Sequence, residues 1–121
     1  MQTRTLFWTE WLPLTVEQTE HLSEVAGLYE VKVERRLVDY PTGRSAMVYY
    51  GCTGGELPGL RTLVREDWFS GEKEAIRARW ADYGALVFRW AATGDPAPEH
   101  ERRLRLFRER FGRAPWGNPE T

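Results

Sequence analysis

The sequence predicts an α+β fold in which a small antiparallel sheet is flanked by helices. Two observations predict it. A β-hairpin pattern spans residues 27–50, and segments of helical periodicity follow it with one further β-prone run among them. The 121 residues suffice for one domain with one core, and six tryptophans supply large apolar areas to bury there.

The first 25 residues form an extension ahead of the hairpin. Residues 5–8 are a short β-prone run, which predicts an extra N-terminal strand. Thr15 is placed to cap a brief helix over residues 16–25. We therefore divide the chain into an extension, residues 1–25, and a main domain, residues 26–121.

The hairpin is predicted from alternation and from turn residues. Apolar and polar side chains alternate over residues 29–34, within a strand predicted over residues 27–38. Residues 45–50 are predicted as the second strand, with Val48 and Tyr50 pointing opposite to Met47 and Tyr49. Pro41-Thr42-Gly43 between them is a turn signal.

The second half of the chain alternates helices with one strand. Helical spacing predicts helices over residues 60–68 and 72–83, and residues 85–92 are β-prone. A last helix over residues 98–111 should end at Gly112, because glycine is the preferred residue just past a helix end.

Composition limits the classes of protein to consider. The net charge of −1 gives no overall attraction to a polyanion, although fifteen of the seventeen basic residues are arginine, whose planar fork suits phosphate. No run is long enough to span a membrane, and the N-terminus lacks a signal pattern. The single Cys52 is compatible with a reducing compartment, so we expect a cytoplasmic protein.

Three kinds of residue are candidates for chemistry. Glu101 lies at the edge of an apolar stripe of the last helix. Its carboxylate either binds a cation or pairs with an arginine, which is Arg105 at i+4 or one from the preceding helices. Arg61 and Arg65 share one helix face and either clamp a phosphate or line a solvated face. Zinc is not expected, because neither histidine has a partner at metal-ligand spacing.

Tyrosine is the third candidate. Tyr29, Tyr49 and Tyr50 are ordinary strand residues by propensity, so each is first a packing residue. A tyrosine hydroxyl in a site can also orient a water or relay its proton, but its usual pKa near 10 requires a nearby cation for that.

Three short segments and two single residues follow one another along the chain: Gly27-Leu28-Tyr29, Tyr49-Tyr50-Gly51, Arg61, Glu101 and Pro115-Trp116-Gly117-Asn118. Because these residues occur in this order, the chain resembles the GIY-YIG nuclease superfamily over about residues 26–118. The resemblance implies a three-stranded antiparallel sheet flanked by helices. It also implies hydrolysis of DNA phosphodiester bonds with one divalent cation, Mg²⁺ or Mn²⁺.

The resemblance also implies a role for each site residue. Glu101 would bind the cation, and Arg61 would neutralise the scissile phosphate. Tyr29, with Tyr49 behind it, would position or deprotonate the attacking water. Gly51 would lie in the substrate-binding region.

The chain departs from the family pattern in two places. The glycine-rich insertion over residues 53–59 displaces Arg61, so that Arg65 is an alternative for its role. Arg65 also stands where the family has a histidine. Three hypotheses follow. The first is a metal-dependent DNA endonuclease, either by itself or as the nuclease module of a larger assembly in which a protein partner supplies extra DNA binding. The second is a catalytically inactive domain of the same fold that binds nucleic acid or a protein, and the third is an enzyme or interaction domain of another α+β family.

Overall fold

The computed structural model describes residues 6–54, 58–70, 73–80 and 83–119, without the side chains of residues 74–76. Its strands are β1 (Leu12–Pro13), β2 (Gly27–Val33), β3 (Val38–Tyr40), β4 (Gly43–Ser45), β5 (Met47–Cys52) and β6 (Leu86–Ala92). Its helices are α1 (Val16–Thr19), α2 (Leu60–Phe69), α3 (Lys73–Arg79) and α4 (Ala97–Phe111). Parts of the predicted run 5–8, insertion 53–59 and helix 72–83 lie outside the described residues.

The main sheet is antiparallel, with strand order β1-β6-β2-β5. The predicted α+β class is therefore confirmed, but the expected count of three strands is wrong. The fourth strand, β1, comes from the extension. Backbone bonds from Leu14 N to Leu86 O (2.9 Å) and from Thr9 N to Trp90 O (3.0 Å) continue this pairing and cover the edge of β6.

The predicted hairpin is divided into four strands. Strand β2 ends at Val33, because the chain then turns toward the segment after α3, where Arg35 N bonds to Tyr83 O. Strands β3 and β4 pair with each other in a separate two-stranded sheet. Strand β5 then returns to pair with β2.

The first predicted helix is shorter than expected. Thr15 caps α1 by accepting a bond from Gln18 N (3.2 Å), as predicted, but the helix ends at Thr19. Glu24 instead leaves the helical path to accept a bond from Thr62 N (3.0 Å) at the start of α2. The later predictions are closer, since α2, β6 and α4 differ from the expected bounds by one residue at most, and Gly112 ends α4 with a positive φ of 86°.

Helices cover both faces of the main sheet. Helix α2 packs on the face that carries Tyr29, through contacts with Trp68. Helix α4 packs on the opposite face, where Phe107 contacts Tyr50. Among the described residues, no helix is long and apolar enough to cross a membrane.

The extension packs on the α4 face through two tryptophans. The guanidinium of Arg89 lies 4.6 Å from the ring centroid of Trp8 and 4.8 Å from that of Trp11. Arg103 also lies over Trp8, and the ammonium of Lys32 over Trp11. These cation–π contacts attach the extension to side chains of the main domain.

Candidate functional site

The two tyrosine–glycine segments meet directly in the sheet. Tyr29 of β2 pairs with Gly51 of β5, and a Cβ at Gly51 would lie 2.2 Å from the Tyr29 ring. Tyr49 lies on the same face, with its ring centroid 5.5 Å from that of Tyr29. Glycine at position 51 is therefore required by the close approach of the Tyr29 ring.

The Tyr29 hydroxyl is fully engaged inside the protein. It donates to Asp67 Oδ2 (2.7 Å) and accepts from Trp68 Nε1 (3.1 Å), and the residue is only 1% exposed. Burial raises the pKa of Tyr29 well above its usual value, and the nearby Tyr49 and the Asp67 carboxylate add to the rise. Tyr29 is therefore a protonated hydrogen-bond donor at neutral pH.

Tyr49 is held in the same state. Burial raises the pKa of its hydroxyl, and the Asp67 carboxylate raises it further. The ammonium of Lys73 lies over the Tyr49 ring, 4.5 Å from its centroid. In this arrangement neither Tyr49 nor Tyr29 takes a proton from water at neutral pH without an additional cation.

Asp67 is a site residue that the sequence reading missed. It lies on α2 beside charged neighbours, so the sequence presents it as part of a solvated face. Its bond partner Tyr29 is 38 positions away. Only the docking of α2 on the sheet brings the two together.

The two arginine candidates project from α2 into solvent. Arg61 Nε donates to the Leu22 backbone oxygen (2.9 Å), which ties the start of α2 to the extension. Glu24, beside Arg61, has a lowered pKa because it accepts bonds from the side chain and backbone of Thr62, with Arg61 adding a smaller effect. Among the described residues Arg65 forms no ion pair, so its guanidinium is the more available of the two.

Glu101 lies on the other side of the sheet from Tyr29. It belongs to α4, and its carboxylate helps to raise the pKa of the Cys52 thiol, after the larger effect of burial. The expected pair with Arg105 does not form, since Arg105 Nε lies 4.0 Å from Glu109 instead. The Glu101 side chain is exposed and forms no ion pair or hydrogen bond with another described residue.

The site residues therefore form two groups. Tyr29, Tyr49 and Gly51 are in contact on the α2 face, whereas Glu101 lies with Cys52 on the α4 face. Within the part of the chain that the structure describes, no cluster of three or more His, Cys, Asp or Glu residues is positioned to hold a metal. A cation at Glu101 would have a single protein carboxylate and otherwise water as ligands.

The two groups approach the same end of the sheet. Strand β2 begins there, and the strands β5 and β6 end there. Thr53 N donates to Gly27 O (3.1 Å), and Thr93 N donates to Ala26 O (3.1 Å), which closes this end. Arg61 stands in the first turn of the helix after β5, and Glu101 in the second turn of the helix after β6.

The open edge of β5 is bound by the closing segment, Pro115-Trp116-Gly117-Asn118. Asn118 donates through Nδ2 to Tyr50 O (2.8 Å), and its Oδ1 accepts from Tyr50 N (3.0 Å). Gly117 N donates to Val48 O (2.8 Å) one step further along the strand. His100 Nε2 lies 3.0 Å from the same Tyr50 oxygen. The segment therefore satisfies the backbone of an edge strand.

Comparison with protein-family models, with curated proteins and with solved structures gives no match for this chain in any of the three. The geometry defines the class of protein by itself: an α+β domain with a four-stranded antiparallel sheet and helices on both faces. Its candidate site lies around the sheet end where β2 begins.

Proposed function

We propose that this chain is a GIY-YIG-type domain that hydrolyses DNA phosphodiester bonds with the help of one divalent cation. The observation that carries the proposal is the packing of Tyr29 on Gly51 across neighbouring strands. It links the two segments that resemble the family signatures through one specific contact. A chance occurrence of the two short motifs would not require them to meet.

The order of elements supports the same assignment. Strand β2 is central, and the chain continues through β5, two helices, β6 and a final helix. Strand β1 is then an addition at the outer edge of β6. Asn118, in the closing segment that forms part of the resemblance, holds β5 by two hydrogen bonds to Tyr50.

The exposed carboxylate of Glu101 fits a divalent cation, because it has no ion-pair partner among the described residues and faces solvent. Bound Mg²⁺ or Mn²⁺ would stabilise negative charge on the leaving oxygen. Arg61, or the more available Arg65, would bind the scissile phosphate. Tyr49 would orient the attacking water as a hydrogen-bond donor, and the buried Tyr29 would hold Tyr49 in position.

One set of contacts favours a second candidate, a binding domain of the same fold without catalysis. The hydroxyl of Tyr29 is saturated by Asp67 and Trp68 and does not reach solvent. Glu101 lies on the opposite face from it. In this second candidate the domain recognises nucleic acid or a protein partner, and the tyrosine cluster only stabilises the fold.

A plasmid-nicking assay separates the two candidates. Purified protein with Mg²⁺ or Mn²⁺ should nick supercoiled DNA, and chelation of the metal should stop it. Glu101→Gln should slow nicking by roughly 100-fold or more, as loss of a group that stabilises transition-state charge does. Glu109→Gln is the matched control, because it removes an exposed carboxylate from the same helix.

The outcomes are distinct. If wild type and Glu101→Gln leave supercoiled DNA equally intact, the hydrolase proposal is wrong and the binding domain is preferred. Equal nicking by both would exclude Glu101 as the cation ligand. Arg61→Gln and Arg65→Gln, compared in the same assay, identify the arginine that binds the phosphate.

A further inference from the structure

The last helix and the segment after it are basic in a chain that is otherwise acidic. Residues 97–118 contain six arginines and three glutamates, a net charge of +3. The rest of the chain contains eleven basic and fifteen acidic side chains. Positive charge is thus concentrated on one element rather than spread over the surface, which favours a negatively charged partner at that place.

A groove of about 280 Å³ runs along this helix. Two rows of helical side chains and one strand residue line it: Arg102, Leu106 and Arg110 in the first row, Arg103, Phe107 and Phe111 in the second, and Tyr50 from β5. Residues four apart on a helix lie one above the other, so each row is continuous. The groove therefore combines an arginine at each end with an apolar middle.

The floor of the groove is aromatic and well packed. Phe107 is buried and meets Tyr50 edge-on, with ring centroids 5.9 Å apart, and its centroid lies 4.4 Å from that of Phe111. Above this floor the Leu106 side chain is 45% exposed. A flat apolar group could lie against Leu106 and Tyr50 without moving the core side chains.

The arginines of the groove are only partly neutralised. Arg102 and Arg103 share the carboxylate of Glu99, with nitrogen–oxygen distances of 2.6 Å and 3.1 Å. Arg103 is also paired with Glu30 of β2, a carboxylate that it shares with Arg89. Arg110 forms no ion pair with a described residue, and its guanidinium lies 5.4 Å from the Phe111 ring centroid. The groove keeps a positive charge that an anionic ligand would neutralise.

We propose that this groove binds a single strand of nucleic acid, with phosphates on Arg102 and Arg110 and a base against Leu106 and Tyr50. The two arginines are eight residues apart on the helix, about 12 Å. Single strands expose both phosphates and flat base faces, and a basic groove with apolar and aromatic side chains is how proteins bind them. A duplex keeps its bases stacked and would use the arginines alone.

The test is fluorescence anisotropy with a labelled oligothymidylate, in chelator and at about 50 mM salt, where phosphate contacts are strong. Arg110→Gln and Leu106→Ser should each weaken binding roughly tenfold, and added salt should weaken it further. Arg105→Gln is the matched control. It removes the same charge from the same helix but lies outside the groove, and it should change binding less than about twofold. Thermal denaturation checks that each variant is folded.

Four outcomes would overturn the proposal: no binding by the wild type, equal loss with Arg110→Gln and Arg105→Gln, equally tight binding of duplex DNA, or equal competition by polyglutamate. An oligouridylate of the same length shows whether DNA and RNA are distinguished, and binding of either one supports the groove. The inference does not depend on the proposed hydrolysis. Binding is measured without divalent cations, so it can persist if nicking is never observed, and nicking can persist if binding is absent.

Discussion

Tyr29 and Gly51 are cross-strand partners, and the tyrosine ring fills the space that any side chain at position 51 would need. The contact is specific because the ring is fixed at its far end as well. Its hydroxyl is held between Asp67 and Trp68 of α2. One glycine in β5 thus allows a large side chain of β2 to reach a helix on the other side of the core.

We expect Gly51→Ala to destabilise the protein by about 2–3 kcal/mol, because the new Cβ would overlap a buried ring that cannot move aside. Urea unfolding followed by circular dichroism measures the loss. Gly94→Ala is the control, since no atom lies within 4 Å of a Cβ built there. Equal stability of the two variants would mean that the Tyr29 ring can relax.

Glu30 provides a second test of the fold. The residue is 1% exposed, and its carboxylate accepts bonds from Arg89 Nε (2.7 Å) and from Arg103. We expect Glu30→Gln to cost about 2–3 kcal/mol, because it leaves two partly buried guanidinium groups without their shared anion. The variant Glu109→Gln, which breaks the exposed pair with Arg105, should cost less than about 0.5 kcal/mol in the same urea titration. Similar costs for both would show that water solvates the Glu30 site.

The sequence predicted those elements whose signals are local. Helix α4 has apolar side chains at helical spacing and a glycine at its end, and both features are visible in the chain. The N-terminal strand was predicted at residues 5–8, but β1 lies at Leu12–Pro13, because its place depends on bonds to β6 more than seventy residues away. The alternation of β2 predicted which way Glu30 points, but not that α4 would bury it.

The candidate site was predictable to a similar extent. The order of Tyr29, Gly51 and Asn118 was visible in the sequence. In the structure the Tyr29 ring packs on Gly51, and Asn118 bonds to the backbone of Tyr50 in β5. Helical spacing allowed an ion pair between Glu101 and Arg105, but spacing alone does not choose among partners on a charged helix, and Arg105 lies nearer to Glu109. The bond from Tyr29 to Asp67 depends on how α2 docks, which no local pattern specifies.

Asn118 should contribute to stability through the edge of β5. Asn118→Ala leaves the backbone N–H of Tyr50 without its acceptor and removes a donor from the Tyr50 carbonyl, so we expect a loss of about 2 kcal/mol. Hydrogen exchange at the Tyr50 amide should become faster. Asn118→Asp keeps an acceptor for that amide but cannot donate to the carbonyl, so it should protect the amide better than alanine does. Unchanged exchange in Asn118→Ala would mean that His100 and water hold this edge.

The buried tyrosines predict that stability falls at alkaline pH. Burial raises the pKa of Tyr29 and Tyr49 in the folded protein, and it raises the pKa of Tyr40 and Tyr50 to about 12, above the value near 10 of an unfolded chain. The folded state therefore retains protons that the unfolded state loses. The contribution of these tyrosines to the free energy of unfolding is complete below about pH 10, and it decreases as the pH rises toward their pKa values in the folded protein.

Between about pH 10 and its folded pKa, each buried tyrosine should lower the free energy of unfolding by about 1.4 kcal/mol per pH unit. Urea titrations between about pH 9 and about pH 11 measure the slope, and the ultraviolet absorbance of tyrosinate reports ionisation. Tyr49→Phe removes one such group, so its stability should fall less steeply with pH than that of the wild type, whatever its stability at neutral pH. If the slopes are equal, or if tyrosinate absorbance from Tyr49 develops at pH 10 while the protein stays folded, burial and Asp67 do not raise the pKa of Tyr49.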